Sequence, residues 1–397
     1  MDEPVLSGIR VLDFGRYIAG PFCATLLGDL GAEVIRIEKL SGSEDRYLCP
    51  ITDKGEGAVW LQMGRNKLSV TLNPLKPEGR EVVKRLVATA DVVVANMPLD
   101  GLREIGIDYE SLRTIKPDII LSSQTAFGDS GPYAKRMGFD GVAQAMSGAV
   151  AMSGYPGQPV KSAASWCDAG TGMTAAFGTV AAILHRFKTG KGQEVKTSLM
   201  RTGMSVFHFN TIDAYFSGID RPATANRSQY AGPADLFKTQ DGWIQAQCMG
   251  QGVFQRWCEL MGEMHWLTDP RFSTDMLRGD NGEALSARMQ QWAAQYMTQD
   301  ALERLEAAGI PAGPLYTPLQ TLDDPQVKAT GMVEWMDYPG LPRPAPVATH
   351  PVEFTGFEAK IRLRPPTLGE HTDQILSSLG YSVEDIAGLR ARRVGGG

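Results

Sequence analysis

Residues 9–39 read IRVLDFGRYIAGPFCATLLGDLGAEVIRIEK, and this stretch decides the fold class. Residues 9–14 are a short run of strand formers, Gly15 to Pro21 make a loop, and the segment to about Asp29 is a helix closed by Gly31. AEVIRIE, residues 32–38, is a second strand, so the chain opens with a strand–helix–strand unit of the kind that builds a parallel sheet. The alternation continues outward. LSVTLN (68–73) is followed by an amphipathic helix that starts at Pro77 and runs to Ala90, then by DVVVAN ending at Asn96 and DIILSSQTAF from Asp118. The expectation is an α/β protein with a doubly wound sheet. Ligands of such sheets sit beyond the carboxyl ends of the strands, which singles out Arg16 and Tyr17 after the first strand, Lys39 after the second and Asn96 after a later one. The first loop has Gly15 and Gly20 with Arg16, Tyr17 and Ile18 between them, and not the G-x-G-x-x-G that lets a backbone approach a pyrophosphate, so NAD and FAD are disfavoured.

A second informative stretch is KSAASWCDAGTGMTAAFGTVAAILHRFKTG, residues 161–190. The apolar run to Leu184, the basic turn His185, Arg186 and Lys188, and the Gly190 stop read as a buried helix with Asp168 at its start. Asp168 has two readings. It is an N-cap accepting from the first free amides, or it is a nucleophile. Residues 140–153, DGVAQAMSGAVAMS, read as another helix, with Asp140 in the same capping position. A helix-like segment at 205–218 gives way to a polar linker, residues 219–233, and a new unit follows. DLFKTQDGWIQAQCM is two strands around Asp241-Gly242; Gly250-Gln251-Gly252 then leads into an apolar helix. Helical stretches at 281–297 and 299–308, the second capped by Thr298, precede short strands in MVEWMDY and VEFTGFE.

A chain of 397 residues exceeds one ordinary core, so two domains are expected. With 45 acidic and 39 basic residues and a net charge of −6, without a long Lys/Arg block, a nucleic-acid partner is not expected. The opening MDEPVLSG has no basic region before an apolar core, so no export signal and no membrane association are expected. Five cysteines without a CxxC pair fit a reducing cytoplasm, and five histidines without HxxxH spacing make a metal site improbable. Cys167 reads as a small core residue.

Seven segments together resemble one family, the class III coenzyme A transferases of the CaiB/BaiF type, which include formyl-CoA:oxalate and carnitine CoA-transferases and, as a divergent branch, α-methylacyl-CoA racemase. They are LSGIRVLDFGRYIAGPFCATLLGDLGAEVIRIEK, RNKLSVTLN, ADVVVANMPLDGLREIG, GFDGVAQAMSG, CDAGTG with RFKTGKGQEV, AAGIPAGPL and PPTLGEHTDQILSSLGYSVEDI. The resemblance implies a Rossmann-like large domain, residues 1–218 with 326–397 returning to it, a smaller α+β domain over 234–325, and an interlocked homodimer.

Coenzyme A, as the acyl-CoA substrate, is the implied cofactor. Asp168 falls on the family's catalytic aspartate. Arg16, Tyr17 and Ala19 fall on first-loop CoA contacts, Lys39 on a basic residue near the adenine phosphate, and Leu72, Asn96 and the adjoining Met97 on further contacts. Arg103 and Arg136 are additional cations for the CoA phosphates. Asp140 stands where oxalate-specific members have a glutamate, and Gly250, Gln251 and Gly252 where they have a longer glycine loop over the site, whose amides would serve a developing oxyanion.

Two departures narrow the function. Phe139 stands where the racemase branch has a histidine, which removes a second acid/base. Ile18 stands where the oxalate enzymes have a glutamine, and an apolar residue cannot hydrogen-bond a small dicarboxylate. The implied reaction moves CoA from an acyl-CoA to a carboxylic acid through an Asp168 anhydride and thioester, the helix-start amides holding that carboxylate and lowering its pKa. The alternatives are an acyl-CoA racemase or isomerase, and an acyl-CoA-binding protein without turnover.

Overall fold

In a computed structural model that describes residues 3–396, the opening alternation builds a six-stranded sheet. In chain order the elements are β1 (Arg10–Asp13), α1 (Ala19–Asp29), β2 (Glu33–Glu38), α2 (Ala58–Met63), β3 (Lys67–Thr71), α3 (Pro77–Ala88), β4 (Val92–Ala95), α4 (Leu99–Ile105), α5 (Tyr109–Ile115), β5 (Ile120–Thr125) and α6 (Asp140–Met146). A two-residue-per-strand hairpin, β6 (Gly154–Tyr155) and β7 (Gln158–Pro159), comes next, followed by α7 (Trp166–Thr189), β8 (Glu194–Ser198) and α8 (Leu199–Val206). The sheet order is β3-β2-β1-β4-β5-β8 and every neighbouring pair is parallel.

Alternation along the strands explains both layers. Leu12, Ile35, Val93 and Leu121 point to one face, where α3 and the C-terminal helices α16 (Thr372–Ser378) and α17 (Val383–Ala391) cover them through Val82, Leu86, Ile375 and Leu389. Their neighbours Val11, Val34, Val92, Val94 and Ile120 point to the other, onto Cys23 and Leu27 of α1 and Ala175 and Ile183 of α7. Helices α1 and α7 approach closely at Gly172, where a Cβ would stand 2.9 Å from the Ala19 carbonyl oxygen.

Helix α7 departs from the expected buried helix. Cys167, Thr171, Gly172, Ala175, Ala176, Thr179, Ala182 and Ile183 form its buried face, whereas Met173, Phe177, Leu184 and Phe187 are exposed. Its length and composition would suffice to cross a membrane, but its small-residue face is packed on α1 and the sheet.

The chain divides into two compact units: residues 1–147, 163–206 and 325–397 form the first, and 148–162 with 207–324 the second. Residues 148–162 and 207–218, expected in the large domain, fall in the second unit. The expected helix over 140–153 stops at Met146, because Gly148 adopts φ +93°. Likewise 205–218 is not one helix; α8 ends at Val206 and α9 (His208–Ser217) begins anew.

In the second unit β9 (Ala234–Lys238), β10 (Trp243–Gln247) and β11 (Ala312–Pro314) form an antiparallel sheet. It encloses Phe237, Ile244, Phe254, Trp257, Leu285 and Leu305 together with α10 (Gln251–Met261), α12 (Gly282–Ala293) and α13 (Thr298–Ala307); in chain order α11 (Asp275–Asp280) falls between α10 and α12, and α14 (Pro318–Asp323) and α15 (Pro325–Ala329) come after α13. Thr298 is the first residue of α13 and not its cap; its amide and hydroxyl both donate to Asp241 Oδ1 at 2.7 Å. In the first unit Val333–Met336 pairs with Ala345–Ala348, so the strand expected in VEFTGFE lies earlier in the chain.

Candidate functional site

The strand order reverses between β1 and β4, which leaves a crevice at their carboxyl ends. The loop after β1 enters it in a fixed shape. The Gly15 amide donates to Asp13 Oδ1 at 2.8 Å, and a Cβ on Gly15 would stand 2.7 Å from Pro21. Asp13, Arg36, Asp45 and Lys67 are all fully or almost fully buried beneath this loop. Lys67 Nζ donates to Asp13 Oδ2 and to the Pro21 carbonyl, each at 2.8 Å; Arg36 binds Asp13 at 3.2 Å, both oxygens of Asp45 at 2.8 and 2.9 Å, and the Gly15 carbonyl. Each buried charge thus meets an opposite charge or a carbonyl, and removing one partner from such a lattice costs about 3–5 kcal/mol. Just past the end of β4, Asn96 accepts from the Arg16 amide and donates to the Arg16 carbonyl, both at 2.6 Å. Tyr17 is held at φ +59°, a left-handed conformation that bulky residues rarely adopt, at the mouth of the crevice.

The crevice opens into a cleft of about 370 Å³ within the first unit. Of the expected residues it brings together Arg16, Tyr17, Ala19, Asn96, Met97, Arg103, Arg136, Phe139 and Asp168. Phe139 lies edge-on to Tyr17, ring centres 5.4 Å apart. Ile18, Lys39, Leu72 and Asp140 do not line it. Leu72 is in the core at 1% exposure. Lys39 Nζ binds Glu44 at 2.5 Å, and Arg16 binds the same carboxylate through Nε at 2.9 Å and through Nη2, so both expected phosphate ligands converge on one side chain. Those two cations hold the Glu44 carboxyl down at about 2 although burial opposes them. Lys135 and Gln124 also line the cleft and were not anticipated. A Lys-Arg pair at 135–136 is a signal for the first; Gln124, among the polar residues that end β5, offered none.

Asp168 is the third residue of α7, and the helix is capped from elsewhere. Asp140 Oδ1 accepts from the amides of Cys167 at 2.9 Å and Asp168 at 3.2 Å, while its Oδ2 accepts from Gln144 Nε2 at 2.6 Å. Asp140, 28 residues upstream, therefore does the work expected of Asp168. Among the described residues the Asp168 carboxylate makes no hydrogen bond and faces the cleft. Its pKa is correspondingly raised, to about 6, by burial first and by the Asp140 charge second. This reverses the expected lowering, because the helix-start amides are satisfied by the neighbouring carboxylate.

In the second unit Gly250 precedes α10 at φ +82°, and its amide donates to both oxygens of Asp275 at 3.0 Å. That donor is committed and drops out of the set expected for an oxyanion. Gln251 Oε1 accepts from Arg278 at 2.9 Å, and Gly252 lies in the first turn.

The model of CoA-transferase family III matches residues 6–372. The chain belongs to CoA-transferase family III. It is 32% identical over 392 residues to a succinate–glutarate CoA-transferase of Agrobacterium fabrum, covering 95% of this chain and 96% of that one. It is also 32% identical to a succinyl-CoA–D-citramalate CoA-transferase of Chloroflexus aurantiacus, with 98% of each chain covered. The crystal structure of a CAIB/BAIF family protein from Brucella suis superposes with a TM-score of 0.83 at 34% identity, covering 95% of this chain and 100% of that one. The protein is thus a class III CoA-transferase, an enzyme that uses CoA thioesters as substrate.

Proposed function

We propose that this enzyme transfers CoA from an acyl-CoA to a carboxylic acid through a covalent intermediate on Asp168. The observation that carries the reading is an unbonded carboxylate in a cleft at the sheet's switch point, its pKa raised to about 6. Such a carboxylate is still mostly ionised near pH 7, and its raised basicity makes it a better nucleophile than an ordinary surface carboxylate. Asp168 attacks the thioester carbonyl; the C–S bond breaks and leaves a mixed anhydride and CoA thiolate. The thiolate attacks the aspartyl carbonyl of that anhydride and releases the first acid, leaving an aspartyl–CoA thioester. The incoming carboxylate attacks this thioester to give a new anhydride and thiolate. The thiolate then attacks the acyl carbonyl, which yields the new acyl-CoA and restores Asp168. No proton is moved, so the sequence of steps calls for no general base.

Exposed Arg103, Lys135 and Arg136, with Arg16, suit the phosphates of CoA at the mouth of the cleft. The names of the relatives make succinyl-CoA the first donor to try. Tyr17, Phe139 and Met97 favour an acceptor less polar than oxalate. The racemase alternative is disfavoured by Phe139, which has no proton to exchange. The deciding assay supplies succinyl-CoA with a panel of carboxylic acids in deuterated water. Transfer predicts a new acyl-CoA without deuterium; deuterium at the α-carbon without a new thioester would establish the isomerase reading instead.

The working form in this reading is a homodimer, supported by α7. Met173, Phe177, Leu184 and Phe187 fall on one side of the helix by their spacing and are 42%, 78%, 54% and 71% exposed, an apolar stripe that a second chain would cover. Sedimentation is expected to give a dimer for the native chain and a monomer for the Phe177→Glu, Phe187→Glu variant; a native monomer would refute this part. Five free cysteines are in keeping with a reducing cytoplasm.

A further inference from the structure

We propose that Gln124 is a specificity-determining residue that accepts a hydrogen bond from an amide N–H of the pantetheine arm of CoA. The inference rests on the CoA-transfer reading and extends it to a residue inside β5. Gln124 is 1% exposed and lines the cleft. Its Nε2 donates to Ser122 Oγ at 2.9 Å, and its Oε1 is buried without a hydrogen-bond partner among the described residues. A buried amide oxygen left without a donor is disfavoured by about 1–3 kcal/mol, so such a group persists where a ligand supplies the missing partner.

The surroundings say which partner. Ser122 and Gln124 lie two residues apart on the face of β5 turned to α1 and α7; Ser122 Oγ accepts from Thr179 of α7 at 3.0 Å and lies 3.9 Å from Cys23 of α1. The free oxygen therefore sits deep, below the helix that carries Asp168, whereas Arg103, Lys135 and Arg136 are exposed at the mouth. An amide oxygen only accepts. It repels carboxylates and phosphates, which present acceptors alone, and selects a donor. Between the phosphates and the thioester of an acyl-CoA lies the pantetheine arm, whose amide groups are neutral donors on a slender chain. Small residues, Ala19 and Ala126, leave the width such a chain needs.

The test is equilibrium binding of CoA and of 3′,5′-ADP to the full-length protein and to Gln124→Met, which keeps the side-chain length and removes the acceptor. CoA binding is expected to weaken about fivefold to tenfold, the loss of one neutral hydrogen bond, with 3′,5′-ADP binding unchanged and the melting temperature unchanged or higher. Gln124→Asn, which withdraws the amide by one methylene, is expected to weaken CoA in the same direction if the Met variant does not fold. Unchanged CoA affinity, an equal loss for 3′,5′-ADP with a lower melting temperature, or an effect confined to the KM of the acceptor acid would each overturn the assignment. A native protein that binds no CoA would instead overturn the transfer reading, so the two failures are distinguishable.

Discussion

Asp168→Asn is expected to fold, to melt above the native protein at pH 7–8, and to transfer CoA at least ~10³-fold more slowly. The stability gain follows from linkage. The folded pKa of Asp168, about 6, lies above its ordinary value of 3.8, so the folded state disfavours the ionised form. The resulting penalty is fully present above the folded pKa and vanishes below the ordinary one, where both states are protonated. For a half-buried group it is on the order of 2 kcal/mol after screening, and the amide escapes it. The native and variant curves should therefore converge as pH falls through 6 towards 4. A carboxylate acting only as a helix cap predicts the opposite set of results, since Asn caps as well as Asp and would leave transfer intact.

The second large effect belongs to Asp140. Asp140→Asn keeps an oxygen for the Cys167 and Asp168 amides and removes the charge that, after burial, raises the Asp168 pKa. Activity that needs ionised Asp168 falls on the acid side as pH drops through its pKa; without the neighbouring charge that pKa falls, and the acid limb of kcat/KM moves to lower pH. Asp140→Ala also strips the acceptor from two amides and from Gln144, which should destabilise the protein by about 1–3 kcal/mol and lower the rate at every pH. An acid limb that stays in place in Asp140→Asn would mean that it belongs to another group.

These effects also mark where the sequence could be read and where it could not. The parallel sheet was legible because the Val11-Leu12, Val34-Ile35 and Val92–Ala95 runs put apolar side chains on both faces. Edge strand β8, Glu194–Ser198, was not, since EVKTS alternates charge with small residues and looks like a loop. The exposed stripe of α7 reads as core in the sequence because a periodic apolar pattern does not say which of its positions the chain itself covers. At the site, the motif singles out Asp168 as the candidate nucleophile, but it does not reveal the raised pKa. That comes first from burial and second from Asp140, a contact across 28 residues, and neither has a local signature. The same holds for Glu44 drawing Arg16 and Lys39 together and for Asn96 spending its amide on the Arg16 backbone. Each is a contact within the protein that residue type alone does not suggest.

The covalent role of Asp168 is tested most directly by trapping. The protein is incubated with succinyl-CoA and a panel of other acyl-CoAs, treated with hydroxylamine, digested and read by mass spectrometry. An aspartyl–CoA thioester releases CoA to hydroxylamine and leaves a hydroxamate on Asp168, so the expected result is that modification on the peptide containing Asp168 and its absence from Asp168→Asn. Turnover of CoA between acids with Asp168 unmodified under every donor, or with the hydroxamate on another residue, would contradict the account.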